Sequence, residues 1–107
     1  MPFINLNDIE EKNPVPGFNV RFVHTENMTF SYCTIEIDAE LPEHSHPHEQ
    51  VTSMLEGEFE LTVDNETKVL KPGDVVVIPP NATHSGTAVT DCRILDVFYP
   101  VRDLSNL

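Results

Sequence analysis

Short runs of β-favouring residues, closed by turn residues, constrain this chain more than any other feature. Nine prolines and four glycines punctuate its 107 residues, and the runs between them are rich in Val, Ile, Thr, Phe and Tyr. Helical periodicity is weak throughout and supports only one turn, within residues 6–12. Such a pattern is typical of an all-β sandwich or barrel. We therefore predict a small antiparallel β-barrel that forms a single domain.

The alternation of side-chain types along the sequence predicts where individual strands lie. Residues 29–37 and 58–63 each show two distinguishable faces, as a half-buried strand does. Asp64 and Asn65 tolerate the positive φ of a tight turn, so they should close a hairpin after the second of these strands. The wholly apolar run 75–78 predicts a central strand that is buried on both faces.

The charge of the chain argues against several classes of partner. A formal net charge of −12 at pH 7 opposes binding to nucleic acid or to anionic lipid, because both require clustered Lys and Arg. Residues 1–13 lack the basic start and the apolar run of a signal peptide, and no apolar run approaches the length of a membrane span. We expect a soluble cytoplasmic protein in which Cys33 and Cys92 are reduced and buried.

Three histidines form a pattern that suggests a metal site. His44 and His46 lie two residues apart in the segment HSHPHEQ (44–50), and His84 ends the segment PNATH (80–84). Alternate side chains of an extended segment point to the same face, and neutral imidazole suits divalent transition metals. Burying three imidazoles together without a metal is costly. The pattern therefore predicts a metal pocket completed by a distant segment.

The other two histidines are interpreted differently. A lone histidine in a strand is usually a surface or core residue, and we give His24 and His48 that interpretation. His48 shares its parity with His44 and His46, but Pro47 interrupts the strand. A role beside the metal ligands or in lining a cavity therefore stays open for His48.

The last predicted strand, residues 91–99, carries a carboxyl group where packing favours an apolar side chain. Asp96 shares its face with Phe98 and other apolar residues. A desolvated carboxyl is costly unless it is paired or used, and a raised pKa would suit proton transfer. Arg102 could fold back over the barrel mouth and hold a carboxylate. An ion pair of Arg102 with Asp96 or Asp103 is the alternative.

The spacing of these residues resembles the two motifs of the cupin superfamily, over about residues 38–86. The first motif is His-x-His, a short gap, Glu, six residues and Gly, and it corresponds here to His44, His46, Gln50 and Gly57. The second is Gly, five residues and Pro-x-Gly-x-x-His, and it corresponds here to Gly73, Pro79, Asn81 and His84. The resemblance implies a double-stranded β-helix, a jelly-roll-like antiparallel barrel, with a metal inside its mouth.

Three positions depart from the cupin pattern. Asp38 and Asn81 stand where Gly is common, although Asn also adopts the left-handed conformation that a turn requires. Gln50 stands where the superfamily has its carboxylate ligand. Glu49 is an alternative ligand, but it falls one residue early and should point to the opposite face. We therefore expect Gln50 as the fourth ligand, which leaves the full positive charge on the metal and favours binding of an anion.

The chain is also similar to the small single-domain cupins of the pectin-degradation KdgF family. The similarity rests on HSHPHEQVT, on IPPNATH and on the closing Asp-x-Phe-x-Pro-x-Arg, over roughly residues 20–103 of a single domain 1–107. It implies a metal-dependent enzyme that converts 4,5-unsaturated uronate monosaccharides, released from pectin or alginate, into linear keto forms. By position it implies the metal ligands His44, His46, Gln50 and His84. It also implies three residues around the sugar, with the first as general acid/base: Asp96, Arg102 and Phe98.

Other functions stay open at this level. A cupin dioxygenase containing Fe or Mn would use the same ligands, and a non-enzymatic sugar- or metal-binding cupin would bind without turnover. The ligand types suit Ni, Zn, Mn or Fe and do not select among them. We expect a small anionic sugar as the partner, and a homodimer because exposed sheet edges need covering.

Overall fold

The computed structural model describes residues 2–103, so the predicted domain of residues 1–107 extends at both ends beyond the described residues. A short 3₁₀ helix, Leu6–Asp8, is capped by the side chain of Asn5 and lies within the single turn predicted. Ten strands account for the remaining regular structure of the described residues. They are β1 (Lys12–Val15), β2 (Phe18–His24), β3 (Thr29–Ile35), β4 (Glu40–His44), β5 (Glu49–Glu56), β6 (Phe59–Val63), β7 (Glu66–Leu70), β8 (Val75–Ile78), β9 (His84–Ala88) and β10 (Cys92–Tyr99).

The strands form two sheets, and their pairings are antiparallel. The larger sheet has six strands in the order β1-β2-β3-β10-β5-β8, and the smaller has four in the order β4-β9-β6-β7. The last strand, β10, lies in the middle of the larger sheet because it pairs with both β3 and β5. This architecture confirms the predicted all-β antiparallel barrel. It also places the C-terminal strand at the centre of the barrel wall.

The hydrophobic core lies between the two sheets. Phe18 of the larger sheet meets Phe59 of the smaller sheet edge to face, with ring centroids 6.4 Å apart. Cys33 and Cys92 are free and buried, as predicted. Leu70 and Ile78 are almost completely buried and come from the outermost strands of the two sheets. The core therefore spans the whole width of the barrel.

Four non-glycine residues in the described part of the chain adopt a left-handed backbone conformation, and each lies in a turn. Asp64 and Asn65, with φ of 45° and 69°, form the hairpin turn between β6 and β7 that the sequence predicts. Asp38 and Asn81, with φ of 69° and 67°, occupy the two motif positions where Gly is common. Asn and Asp tolerate this conformation better than other side chains. The substitutions therefore preserve the turns.

The prediction of a central, fully buried strand at residues 75–78 is wrong. β8 is the outermost strand of the larger sheet, and it pairs only with β5. Ile78 is completely buried, whereas Val75 and Val77 are each 61% exposed. Successive side chains point to opposite faces of a strand. The run is apolar because one face contributes to the core and the other forms an apolar outer surface.

Candidate metal centre and cavity

Inward side chains of the larger sheet become polar toward one end of the barrel. Cross-strand register arranges them in rows. An apolar row contains Cys33, Ile94 and Met54; the next row contains Ser31, Asp96 and Thr52; and the row after that contains Thr29, Phe98 and Gln50. The histidine cluster lies beyond these rows, at the end of the barrel that we call the mouth. The sheet therefore brings the carboxyl group of Asp96 and the amide of Gln50 to neighbouring rows.

The smaller sheet brings together the three imidazoles of the predicted metal site. His44 ends β4 and pairs directly with His84, which begins β9. His46 follows in the loop after β4, and its ring centroid lies 4.9 Å from that of His84. One ring nitrogen from each of the three residues lies within 4.8 Å of the others. The three imidazoles are thus close enough to share one metal ion.

Each of the three imidazoles uses Nδ1 to contact a backbone carbonyl oxygen. The distances are 2.8 Å from His44 to Pro42, 3.0 Å from His46 to His48, and 2.9 Å from His84 to Ala82. A carbonyl oxygen only accepts hydrogen bonds, so Nδ1 carries the proton and Nε2 keeps its lone pair. Backbone carbonyls commonly orient metal-binding histidines in this way. Nε2 of His84 is buried without a hydrogen-bond partner, which suits a metal ligand.

Gln50 adds an oxygen to this cluster. Its Nε2 donates to Thr52 Oγ1 at 3.0 Å and to Asp96 Oδ1 at 3.2 Å, and these bonds direct its Oε1 to Nε2 of His46 at 3.1 Å. Because Nδ1 of His46 donates its one N–H to the carbonyl of His48, Nε2 of His46 and Oε1 of Gln50 are two acceptors that face each other. A cation between them would satisfy both, so the residues fit a metal.

Burial keeps His46 and His84 in the protonation state that binds metals. Desolvation is the main cause that lowers the pKa of His46 to about 4, and the charges of Arg102 and His84 add to the effect. Desolvation also lowers the pKa of His84, with smaller effects of the same sign from His44 and Arg102. Both imidazoles are therefore neutral at pH 7, as metal coordination requires.

Glu49 and the remaining histidines lie outside this cluster. Glu49 is exposed, whereas Gln50 is 7% exposed and faces inward, which is the orientation expected from parity. His24 is exposed at the end of β2 and contacts Thr29 Oγ1 through Nδ1 at 2.8 Å. His48 packs edge-on against His46, with ring centroids 5.6 Å apart, and its Nδ1 is buried without a hydrogen-bond partner.

Asp96 lies inside the barrel on β10. Its Oδ1 accepts hydrogen bonds from Thr52 Oγ1 at 2.6 Å and from Gln50 Nε2 at 3.2 Å. Desolvation raises the pKa of this carboxyl, although the two hydrogen bonds and the charge of Arg102 oppose the rise. A carboxyl with a raised pKa holds and releases a proton closer to neutral pH than an ordinary aspartate does. Asp96 is therefore suited to proton transfer.

Arg102 folds back against the same rows after the last strand ends. Its backbone N–H donates to Thr29 Oγ1 at 3.0 Å. Its guanidinium carbon lies 4.9 Å from the ring centroid of Phe98, and the whole residue is 6% exposed. No ion pair within residues 2–103 joins Arg102 to Asp96. The alternative pairing with Asp103 stays a prediction.

One cavity connects these groups. It is small, with a volume of about 70 Å³, and it opens to solvent. Apolar side chains of β1, β2 and β4 line its other walls. The polar residues around it are Ser31, His44, Gln50, His84, Asp96 and Arg102. The cavity thus brings together imidazoles that could hold a metal, an inward-facing carboxyl and a cation.

Sequence reasoning missed two polar residues beside Asp96. Thr52 donates the shortest hydrogen bond to Asp96, and Ser31 is 5% exposed directly opposite Asp96 on β3. Thr52 lies two residues after Gln50 in β5, so the alternation of side chains along that strand could have predicted that Thr52 faces inward. No comparable signal marked Ser31, because its closeness to Asp96 depends on the pairing of β3 with β10.

The cupin domain family matches residues 31–98, which include all three imidazoles, Gln50 and Asp96. The chain belongs to the cupin family. No match is found among curated proteins. Within residues 2–103, no helix combines the length and the apolar character needed to cross a membrane.

Solved structures extend this relationship to nearly the whole chain. KdgF from Halomonas sp. has a TM-score of 0.88 and 26% identity, over 96% of both chains. An RmlC-like cupin from Shewanella frigidimarina has a TM-score of 0.90 and 28% identity, over 96% of this chain and 94% of that one. Oxalate decarboxylase from Bacillus subtilis, a protein with Mn(II) centres, has a TM-score of 0.81 and 20% identity, and 29% of its chain is covered. That last likeness shows the fold alone. The predicted resemblance to KdgF is confirmed.

Proposed function

We propose that this cupin is a metal-dependent enzyme that converts 4,5-unsaturated uronate monosaccharides, from pectin or alginate breakdown, into linear keto forms. The observation that carries the proposal is the connection from the imidazole cluster, through the amide of Gln50, to the inward-facing carboxyl of Asp96, beside one cavity. The likeness to KdgF from Halomonas sp. supports the same reaction class.

His44, His46, His84 and Gln50 would hold one divalent ion, such as Ni, Zn, Mn or Fe. Three imidazoles and an amide carry no negative charge, so the bound ion would keep its full positive charge. When bound, such an ion supplies Lewis acidity for an oxygen where negative charge develops. The neutral ligand set favours a substrate that carries its own carboxylate.

Asp96 is the proposed general acid/base. Ring opening removes the proton of the anomeric hydroxyl and breaks the bond between the anomeric carbon and the ring oxygen, which yields an aldehyde and an enolate. The proton then returns to the enolate carbon and gives the ketone, so the sugar gains and loses no atoms. A carboxyl with a raised pKa can perform both transfers. No oxidant is required.

Arg102 and Phe98 are the proposed substrate-positioning residues. The guanidinium of Arg102 is held against the ring of Phe98 and lines the cavity. A guanidinium offers paired donors that match a carboxylate, so Arg102 would bind the sugar carboxylate. Phe98 would pack against the sugar ring. Together they would orient the anomeric hydroxyl toward Asp96.

The test is to purify the protein without added metal and to measure its metal content by mass spectrometry. Ultraviolet absorbance of unsaturated galacturonate is then followed with and without a chelator. We expect turnover that chelation abolishes and one divalent ion restores. Oxygen uptake with loss of substrate would instead support a dioxygenase. Tight binding without turnover of pectin- and alginate-derived monomers would support a binding module.

A further inference from the structure

Arg102 is a buried residue in an otherwise exposed stretch of chain. It is 6% exposed, whereas Val101 before it is 39% exposed and Asp103 after it is also exposed. β10 ends at Tyr99, and Pro100 has no backbone N–H with which to continue the sheet. The chain therefore leaves the sheet after β10 and then returns one side chain, the guanidinium, to the cavity.

The buried position of Arg102 is unfavourable for its charge. Desolvation lowers the pKa of the guanidinium; the charge of Asp96 acts in the opposite direction, although within residues 2–103 the two groups form no ion pair. Burial of a charge without an ion pair is costly. The ring of Phe98, 4.9 Å from the guanidinium carbon, offsets part of this cost. The backbone of the segment therefore needs a further contact to keep the side chain in place.

Thr29 supplies this backbone contact. It is completely buried at the start of β3, and it lies 73 positions away from Arg102 in the sequence. Its Oγ1 accepts a hydrogen bond from the backbone N–H of Arg102 at 3.0 Å. The carbonyl oxygen of Arg102 lies farther from the same Oγ1, at 3.4 Å. One hydroxyl group thus faces both backbone groups of the arginine.

His24 orients that hydroxyl from the neighbouring strand. His24 ends β2 and pairs directly with Thr29, and its Nδ1 lies 2.8 Å from Thr29 Oγ1. A hydroxyl has one proton to donate, and His24 Nδ1 is closer to it than the carbonyl of Arg102. The hydroxyl therefore donates to His24 and keeps a lone pair for the N–H of Arg102. The ring of His24 is itself stacked on that of Phe22, with centroids 6.3 Å apart.

We infer that Thr29, oriented by His24, is a positioning residue for Arg102: it holds the segment after β10 against the barrel and keeps the guanidinium in the cavity. The inference rests on the proposed function for what the guanidinium binds, the carboxylate of the sugar. It does not rest on that function for the contacts themselves. It also gives a role to a histidine that sequence alone marks as an isolated surface or core residue.

The test compares Thr29→Val, which keeps the shape of the side chain and removes the hydroxyl, with Thr29→Ser, which keeps the hydroxyl. Phenylglyoxal modifies accessible arginines, and mass spectrometry of peptides follows its reaction at Arg102. Arg93, whose side chain is 56% exposed, is the internal reference. Thr29→Val would leave the N–H of Arg102 buried without an acceptor, so we expect Arg102 to react roughly tenfold faster. Thr29→Ser should restore the slow reaction.

Two further variants show whether the effect is specific. His24→Phe should give a smaller increase than Thr29→Val, because the hydroxyl can then donate to the carbonyl of Arg102. Thr25→Val is the matched control: Thr25 Oγ1 accepts from the backbone N–H groups of Asn27 and Met28 in the turn before β3. It weakens the same turn without removing a contact of Arg102, and it should leave the reaction of Arg102 slow.

Kinetics provide a second readout that a merely structural role would not produce. With unsaturated galacturonate, Thr29→Val should raise KM by about tenfold and change kcat little, because substrate binding must first return the arginine to the cavity while Asp96 stays in place on β10. A lower kcat with an unchanged KM would overturn the inference. So would an Arg102 that stays protected in Thr29→Val, or one that is equally exposed in Thr25→Val.

The modification experiment contains no sugar, so it separates this inference from the proposed function. Exposure of Arg102 in Thr29→Val, together with no turnover by the native protein, would support the positioning role and contradict the uronate chemistry. Turnover by the native protein with Arg102 still protected in Thr29→Val would do the reverse.

Discussion

Gln50 is the residue that connects the two halves of the site. Its amide oxygen faces His46, and its amide nitrogen donates to both Thr52 and Asp96. A glutamate at this position could not donate to Asp96, and it would place a second carboxylate beside a buried one. Like charges so close to each other are unfavourable. The amide is therefore the group that suits a ligand position adjoining a carboxyl.

At this scale, Asp96→Asn tests the proton-transfer role. The amide retains the size of the carboxyl but cannot exchange a proton at neutral pH. We expect turnover of the unsaturated uronate to fall by about 10²- to 10⁴-fold, while metal content measured by mass spectrometry stays unchanged. Undiminished loss of ultraviolet absorbance would exclude Asp96 as the general acid/base.

Thr52 is predicted to be a positioning residue that acts through Gln50 and Asp96. Thr52→Val removes a hydroxyl that accepts from one and donates to the other. Loss of a hydrogen bond to a charged group should lower kcat by about ten- to a hundredfold, with little change in KM. Thr52→Ser restores the hydroxyl and should restore most of the rate. A serine variant as slow as the valine variant would contradict this role.

At the scale of secondary structure elements, the turns define where the site residues lie. Gly57 and Gly73 have φ of 79° and 96°, and they bracket the β6–β7 hairpin between β5 and β8. A Cβ at Gly57 would overlap the carbonyl oxygen of Asp91, whereas a Cβ at Gly73 would meet nothing within 4 Å. Position 57 thus requires glycine because of both its backbone conformation and the lack of space for a Cβ. Position 73 requires glycine because of its backbone conformation alone.

This difference predicts unequal costs for the same substitution. Gly73→Ala should lower the free energy of unfolding by about 1–2 kcal/mol, the cost of a left-handed alanine. Gly57→Ala should lower it by about 3 kcal/mol or more, because the backbone must also move. Urea denaturation of both variants measures the two values. Equal losses would show that the contact with Asp91 is relieved without cost.

The same scale shows why element predictions succeeded or failed. The hairpin at Asp64 and Asn65 was predictable, because its turn chemistry is local. The run 75–78 was misassigned, because apolar residues on both faces of a strand occur in a buried strand and also in an outer strand with an apolar surface. Only the order of strands in the sheet distinguishes the two cases.

At the scale of the whole molecule, the larger sheet separates a polar cavity from an apolar outer face. Its inward rows carry Asp96 and Gln50, and its outward row carries valines of three neighbouring strands. Alternation along β5 and β10 produces both surfaces from one sequence. The metal cluster is the one part of the site that depends mainly on the smaller sheet, through the pairing of His44 with His84.

Metal binding should therefore stabilise the whole barrel, because it links β4, β9 and the loop between β4 and β5. A ligand at about 100 times its Kd adds about 2.7 kcal/mol when it binds only the folded state. For a domain of this size we expect Tm to rise by about 10–20 °C when a suitable divalent ion is added to metal-free protein. Differential scanning calorimetry measures the rise, and His84→Ala should abolish it. No shift with Ni, Zn, Mn or Fe would argue against a metal site.

The sequence by itself determined the β class and the hairpin turn, because turn chemistry is a local property of the chain. It predicted the grouping of His44, His46 and His84 through the two spaced motifs that resemble those of the cupins. It also indicated that Gln50 and Asp96 face inward, because parity along a strand is fixed. The tertiary structure alone decided that Thr52 and Ser31 flank Asp96 and that β8 is an outer strand. Those facts depend on which strands pair and in what register, and pairing between residues distant in sequence leaves no local pattern.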